Sequence, residues 1–336
     1  MILIRADANE IIGTGHVMRC LSIARAFAMS GHDVLFVTAD HMGDGLINSA
    51  GFKTVCLDSA WTEMDKEPIK EIIDMHPSSL LIVDSYHVTE DYFRRLSNNI
   101  RLAYIDDMNS GVWDVDYLIN YNIYGSTLDY SSYKTKRTTL LLGPDYAPLR
   151  QEFQDVPEHA IKQVTNVLIS AGGSDPENIT EKIMANICPQ MSNVKFHIIV
   201  GALNPWLNRI KSMAKRNTII HINEKHMANM MQKCDIAISA AGFTLYELCA
   251  CGIPTITYTL ADNQMFAIKD FKKKDIMIST GDCRDNPEFI NQLANDLEDL
   301  CNDYQLRKEI SLRMQKLVDG NGAHRIVQTC GSVLYK

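Results

Sequence analysis

MILIRADANEIIGTGHVMRC, residues 1–20, carries the reading that decides the fold. Ile2–Arg5 is a brief apolar run of strand character, and Gly13-Thr14-Gly15 then breaks the chain. Val17, Leu21, Ala24 and Ala28 follow at helical spacing and end at Gly31. A strand, a glycine turn and a helix open a βαβ unit. The alternation continues, with Val34–Val37, Thr54–Leu57, Leu80–Val83 and Leu102–Ile105 as further strands. Ile69–Met75 and Tyr92–Leu96 carry helical patterns between them. Strands alternating with helices specify a parallel sheet, and right-handed crossovers place helices on both of its faces.

The pattern starts afresh in the second half. Val167–Ser170 ends in Ala171-Gly172-Gly173-Ser174-Asp175, with a helix expected to begin near Pro176. His197–Val200, Ile219–His221, Ile236–Ser239 and Thr255–Tyr258 read as its other strands. Leu149–Gln163 is charged and poor in apolar residues, which makes it the candidate linker between domains of residues 1–150 and 151–336. The chain turns at Gly320 and Gly322, and a closing helix from Ala323 is free to pack back on the first domain. Two such domains facing each other form a cleft, and ligands of open sheets bind beyond the carboxyl ends of the strands.

At 336 residues the chain is long enough for two cores, and 46% hydrophobic with 22% charged residues is ordinary globular composition. A net charge of −8 excludes a general attraction to nucleic acid, so an anionic ligand must be met by locally aimed donors. The nine cysteines form no disulfide framework, and Cys249 and Cys251 have no partner pair at zinc-finger spacing. They read as free thiols of a reducing cytoplasm. MILIRAD reads as a strand rather than a leader, and no run is long and apolar enough to span a membrane. With no cluster of metal ligands visible, neither a metal nor a cofactor is expected.

The sharpest motif is Gly13-Thr14-Gly15-His16-Val17-Met18-Arg19. Glycines allow a tight turn, and the helix start offers unpaired N–H groups. Met18 stands where a dinucleotide fingerprint needs its third glycine, and no GK[ST] follows as in a P-loop. His16 is the distinguishing residue, because imidazole titrates near neutrality and can take a proton from water. Gly13, Gly15 and Arg19 are the ligand-contact candidates beside it. In the second half, Gly172, Gly173 and Ser174 open one helix, with Ser174 or Asp175 as its cap. Ala241, Gly242, Phe243 and Thr244 open another and leave amides for a diphosphate. Glu247, one turn inside that helix, can accept both ribose hydroxyls, and Asn263 and Gln264 suit sugar hydroxyls or phosphate oxygens. Asp7, Tyr86 and the Asp106-Asp107 pair also follow strands.

Taken together, RADANEIIGTGHVMRC at 5–20, AGGSDPEN at 171–178 and SAAGFTLYELCACGIP at 239–254, followed by ADNQ, resemble a known family. It is the UDP-2,4-diacetamido-2,4,6-trideoxy-β-L-altropyranose hydrolases of pseudaminic acid biosynthesis, and the match runs nearly the whole chain. DSYH at 84–87, IDD at 105–107, NYNIYG at 120–125 and LLGPDYAPLR at 141–150 extend it. Single elements are shared with a broader group of GT-B fold, including the UDP-sugar transferase of peptidoglycan synthesis and spore-coat polysaccharide proteins. The turn at 240–244 departs from the family pattern, in which two serines stand.

The resemblance implies a GT-B fold of two Rossmann-like domains, the first holding the sugar and the second UDP. It also implies a metal-independent hydrolysis at the anomeric carbon, with inversion and release of UDP. His16 then activates water, Tyr86 lies near the sugar or the water, Glu247 takes the ribose, and Asn263 takes the diphosphate or sugar. Backbone at Gly173, Ala241 and Gly242 holds phosphate. Asp7 is the first choice for the carboxylate that orients His16. Two other readings compete: a glycosyltransferase using a hydroxyl acceptor on the same scaffold, and a nucleotide-sugar binding protein without turnover. The implied partner is a small UDP-sugar, with no nucleic acid and no membrane insertion.

Overall fold

The computed structural model describes residues 1–331 except Thr135, Ile161, Ser174, Ala202 and Leu203, and all side chains of the rest except that of Asn263. The chain divides into two compact units. The first is Met1–Arg150 together with the end of the chain from Asn321, and the second is Gln151–Gly320.

The first unit begins with β1 (Ile2–Ala6), α1 (Gly15–Met29), β2 (Val34–Thr38), α2 (Asp44–Ser49) and β3 (Lys53–Cys56). It continues through α3 (Ile69–Met75), β4 (Leu80–Asp84), α4 (Glu90–Leu96), β5 (Arg101–Ile105), β6 (Tyr117–Asn120) and β7 (Thr139–Leu142). The seven strands are parallel in the order β3-β2-β1-β4-β5-β6-β7. Every residue of β1 and β4 is buried, as expected of central strands covered on both faces. β6 and β7, which the hydrophobic pattern did not announce, extend the far edge.

The second unit runs β8 (Asn166–Ser170), α5 (Ile179–Asn186), β9 (Lys195–Val200), α6 (Leu207–Ser212), β10 (Thr218–Ile222), α7 (Met227–Gln232) and β11 (Ile236–Ala240). It ends with α8 (Thr244–Cys251), β12 (Thr255–Thr259), α9 (Met265–Lys273), β13 (Ile278–Asp282), α10 (Phe289–Asn302) and α11 (Tyr304–Leu317). Its parallel order is β10-β9-β8-β11-β12-β13. Both sheets therefore reverse direction beside their first strand, at β1/β4 and at β8/β11, and such a reversal opens a crevice at the strand ends.

The last helix, α12 (Gly322–Gly331), packs against α1 in the first unit. Gly322 is required by close approach. A Cβ there would stand 2.2 Å from the carbonyl oxygen and 2.5 Å from the nitrogen of Ala147. All nine cysteines are free thiols. No described helix is long and apolar enough to cross a membrane.

Candidate active site

At the first reversal, the loop after β1 is shaped by Asn9. Its Oδ1 accepts the N–H groups of Ile11 and Ile12, both at 2.9 Å, and its carbonyl accepts that of Gly13 at 2.9 Å. Gly13 takes a φ of +70°, a conformation that favours glycine. The compact loop places Gly15 at the start of α1 and His16 in its first turn.

His16 Nδ1 lies 2.6 Å from Oδ1 of Asp84, the last residue of β4, whose register partner on β1 is Ala6. Asp84 is buried and also accepts the Arg19 guanidinium, from Nε on Oδ2 at 2.5 Å and from Nη2 on Oδ1. Burial pushes this carboxyl up, but the charges of Arg19 and His16 outweigh it and hold it well below the usual carboxylate range. An ionised carboxylate only accepts hydrogen bonds, so Nδ1 of His16 donates to it, with Arg19 Nη2 also 3.2 Å from that nitrogen, and in the neutral ring the lone pair then sits on Nε2. A histidine fixed in this tautomer is arranged as a general base.

The sequence put Asp7 forward as the partner of His16, and the structure corrects this to Asp84. Both Asp7 oxygens are committed elsewhere: Oδ1 accepts the Ala39 N–H at 2.8 Å and Oδ2 the Arg5 Nη1 at 2.6 Å. Arg5 is fully buried, and its remaining donors grip Glu67. Arg19 is corrected likewise, from ligand contact to internal clamp. Besides Asp84, its Nη1 reaches Asp107 Oδ2 at 2.8 Å and the Tyr121 hydroxyl at 2.5 Å.

Tyr86 stands edge-on to His16, with ring centroids 4.8 Å apart. Its hydroxyl donates to Asp107 Oδ2 at 2.8 Å, and burial together with the Asp107 charge pushes the phenol pKa up. Tyr86 therefore stays protonated and presents an acceptor oxygen to any water beside it. Asp106 serves a turn, accepting the N–H groups of Met108 at 3.1 Å and Asn109 at 2.8 Å.

His16, Tyr86 and Asp7 line one recess with Ile12, Asp84, Trp61 and His87. The Trp61 and His87 rings meet edge-on at 4.8 Å. Sequence reasoning gave Asp84 and His87 no role beyond membership of the DSYH stretch and passed over Trp61. Asp84 did carry a signal, as a lone acid closing the apolar run Leu80–Val83.

At the second reversal, Gly172 has a φ of +81°, and among the described residues nothing lies within 4 Å of where a Cβ would stand on Gly173. Ser174 lies outside the described residues. Asp175 is fully buried, and its carboxylate accepts the N–H groups of Ile179 at 2.8 Å and Thr180 at 3.0 Å. Asp175 and Asn178 both adopt left-handed backbone, which inserts a turn and starts α5 at Ile179 rather than near Pro176.

After β11, the Ala241 N–H donates to the Tyr258 carbonyl and that of Gly242 to the Ala240 carbonyl, both at 2.8 Å. These two amides, expected to hold phosphate, are thus already engaged. The candidate donors move to the start of α8, where Phe243 is the cap and Thr244 the first helical residue. Glu247 is buried in the first turn of that helix. Asn263 and Gln264 lie in a short 3₁₀ turn after β12. The Gln264 Oε1 closes that turn by accepting the Leu260 N–H at 2.8 Å, and the Asn263 side chain lies outside what is described.

Comparison with known proteins places this geometry. The chain aligns at full length with MurG of Acinetobacter baumannii, with a TM-score of 0.70, 14% identity, and coverage of 98% of this chain and 99% of that one. The fold is GT-B. The chain is 25% identical over 253 residues to the UDP-2,4-diacetamido-2,4,6-trideoxy-β-L-altropyranose hydrolase of Campylobacter jejuni, covering 73% of this chain and 86% of that protein. It is 23% identical over 332 residues to the spore coat polysaccharide biosynthesis protein SpsG of Bacillus subtilis, covering 96% and 95%. A Methanocaldococcus jannaschii protein described as uncharacterized is 27% identical over 290 residues, or 81% of this chain. The chain spans 58% of that relative's length. The resemblance read from the motifs therefore holds at the level of named relatives. No family model matches the chain.

Proposed function

We propose that this protein hydrolyses a UDP-linked 2,4-diacetamido-2,4,6-trideoxy sugar at its anomeric carbon, releasing UDP and the free sugar with inversion. The observation that carries the reading is the 2.6 Å contact between His16 Nδ1 and the buried Asp84. It leaves Nε2 as a base in a recess that also holds the Tyr86 ring. Water between Nε2 and the Tyr86 oxygen attacks the anomeric carbon and gives its proton to His16. The bond from that carbon to the phosphate oxygen breaks with its electron pair, which leaves on UDP. Amides at the start of α8 meet the diphosphate charge, an interaction that accelerates the reaction only as far as it strengthens in the transition state. Glu247 takes the ribose, and the Trp61 face stacks on the sugar. No step is assigned to a metal. The free thiols support a reducing, cytoplasmic setting.

A second reading is transfer of the sugar to a hydroxyl acceptor. Ile11, 81% exposed beside the recess residue Ile12, favours it as an apolar contact for such an acceptor. Acceptor-free turnover in ¹⁸O water separates the two. Label in the free sugar, unlabelled UDP and a dead His16→Ala variant are expected for hydrolysis. UDP release that requires an added acceptor overturns it in favour of transfer, and UDP binding without turnover of any sugar would reduce the protein to a binder.

A further inference from the structure

The residues at the outer edge of the first sheet carry a second chemistry. β2 and β3 are neighbours with Thr38 opposite Cys56, so the turns beyond their ends converge. His41 follows β2, Cys56 closes β3, and Asp58 comes two residues later. One ligand atom from each lies within 4.8 Å of the others. Cys56 Sγ is 3.4 Å from Asp58 Oδ1, which is 3.9 Å from His41 Nε2. Tetrahedral zinc with bonds of about 2.0–2.3 Å has ligand–ligand edges of roughly 3.3–3.7 Å. Shifts of about an ångström, chiefly in the exposed His41 and Asp58 side chains, would complete the site.

Two further observations point to a metal. The Asp44 Oδ2 sits 2.7 Å from His41 Nδ1, while its Oδ1 accepts the Thr38 hydroxyl at 3.2 Å. A carboxylate behind the other ring nitrogen is how metal-binding histidines are held with Nε2 outward. The Asp58 backbone N–H is also directed at Cys56 Sγ, at 3.4 Å, which fixes the sulfur beside the Asp58 carboxylate. We propose that His41, Cys56 and Asp58 bind a divalent transition metal of the zinc class, with Asp44 positioning the imidazole. Mixed thiolate, imidazole and carboxylate donors suit zinc better than magnesium or calcium. Sequence reading expected no ligand cluster, because His41 and Cys56 lie fifteen positions apart and only the β2/β3 pairing joins them. None of the four side chains lines the His16 recess, so the proposal stands apart from the hydrolytic one.

The test titrates cobalt(II), an optical stand-in for zinc, into the full chain after chelation. One cobalt per chain with thiolate-to-cobalt charge-transfer absorption, displaced by zinc, is expected. Cys56→Ser should abolish that absorption, and Cys301→Ser, at the other incompletely buried cysteine, should leave it. Asp44→Asn should weaken cobalt binding by about 10- to 100-fold. Circular dichroism verifies that each variant is folded. Cobalt bound without thiolate absorption, or absorption that survives Cys56→Ser, overturns the proposal.

Discussion

Replacing Asp84 by Asn tests the proposed base at the atom that sets its tautomer. The side chain keeps its size but exchanges one acceptor oxygen for a donor. An Asn NH₂ facing His16 Nδ1 makes that nitrogen the acceptor and moves the proton to Nε2, where a base must be empty. A positioned general base contributes about 10²–10⁴ in rate, or roughly 2.7–5.5 kcal/mol of barrier. The same exchange behind a catalytic histidine elsewhere costs about 10⁴ in kcat. Asp84→Asn should therefore lower kcat by about 10²–10⁴ with KM little changed. His16→Ala should cost about as much, and the double variant no more than either alone, because the two residues act as one unit.

The substitution also removes a charge from the Arg19 clamp. Breaking a buried ion pair costs about 3–5 kcal/mol. Arg19 retains Asp107 at 2.8 Å, so the lower end of that range applies. Steady-state rates from coupled UDP detection should be measured well below the Tm of each variant, with Tm read separately. If folded Asp84→Asn keeps kcat within a few-fold of the parent while His16→Ala loses 10² or more, Asp84 does not set the tautomer and the dyad argument fails.

Three other expectations follow from the same structure. The Asp84 carboxyl is depressed in the fold, so its stabilisation is complete above the unfolded value of about 3.9 and is lost as pH falls towards the lower folded value. Calorimetry from about pH 5 to about pH 2.5 should show Tm falling less steeply in Asp84→Asn than in the parent; equal slopes would remove this carboxylate from the acid transition. Trp61→Ala should raise KM for the nucleotide sugar about three- to tenfold, as expected for a lost aromatic contact, and leave inhibition by UDP unchanged; an unchanged KM would take Trp61 out of the sugar site. Gly322→Ala should cost at least about 1–3 kcal/mol in chemical denaturation, because the new methyl meets the Ala147 backbone. Gly45→Ala in α2, where nothing among the described residues lies within 4 Å, should instead be neutral or slightly stabilising.

Most strands could be read from the sequence because central parallel strands are unbroken apolar runs, and Leu80–Val83 is one. The strands that escaped are those where this logic weakens. β7 lies at the sheet edge and β6 offers only two aliphatic residues, Leu118 and Ile119. β13, Ile-Ser-Thr-Gly-Asp, has Gly281 at a φ of +98°, where the register against β12 shifts. The start of α5 was misplaced for a related reason. Pro176 is a good first helical residue in isolation, but Asp175 and Asn178 turn left-handed before the helix begins.

The site divides along the same physical line. His16 was visible because a poor helix former on a glycine turn departs from local propensity, and such departures mark function. Asp84 breaks no local rule: an acid after an apolar strand is an ordinary boundary. It becomes special only when β4 is laid against β1 and Asp84 comes opposite Ala6, a pairing nearly eighty residues apart. Arg19 was assigned a ligand contact and Asp7 the orienting of His16 for want of the folded sheet, in which Arg19 holds Asp84 and Asp107 and Asp7 accepts from Ala39 and Arg5. The comparison extends to the second unit. At its reversal the register partners are Ser170 and Ser239, neutral and buried, where the first unit has a carboxylate. A carboxylate at this register pair would stand beside a diphosphate and repel it, whereas the buried Asp175 carboxylate at the same reversal is already held by the Ile179 and Thr180 N–H groups. The proposed assignment of water activation to the first unit and UDP to the second thus agrees with the charge at the two register pairs, and Ser239→Asp should weaken UDP binding while leaving the His16–Asp84 pair intact.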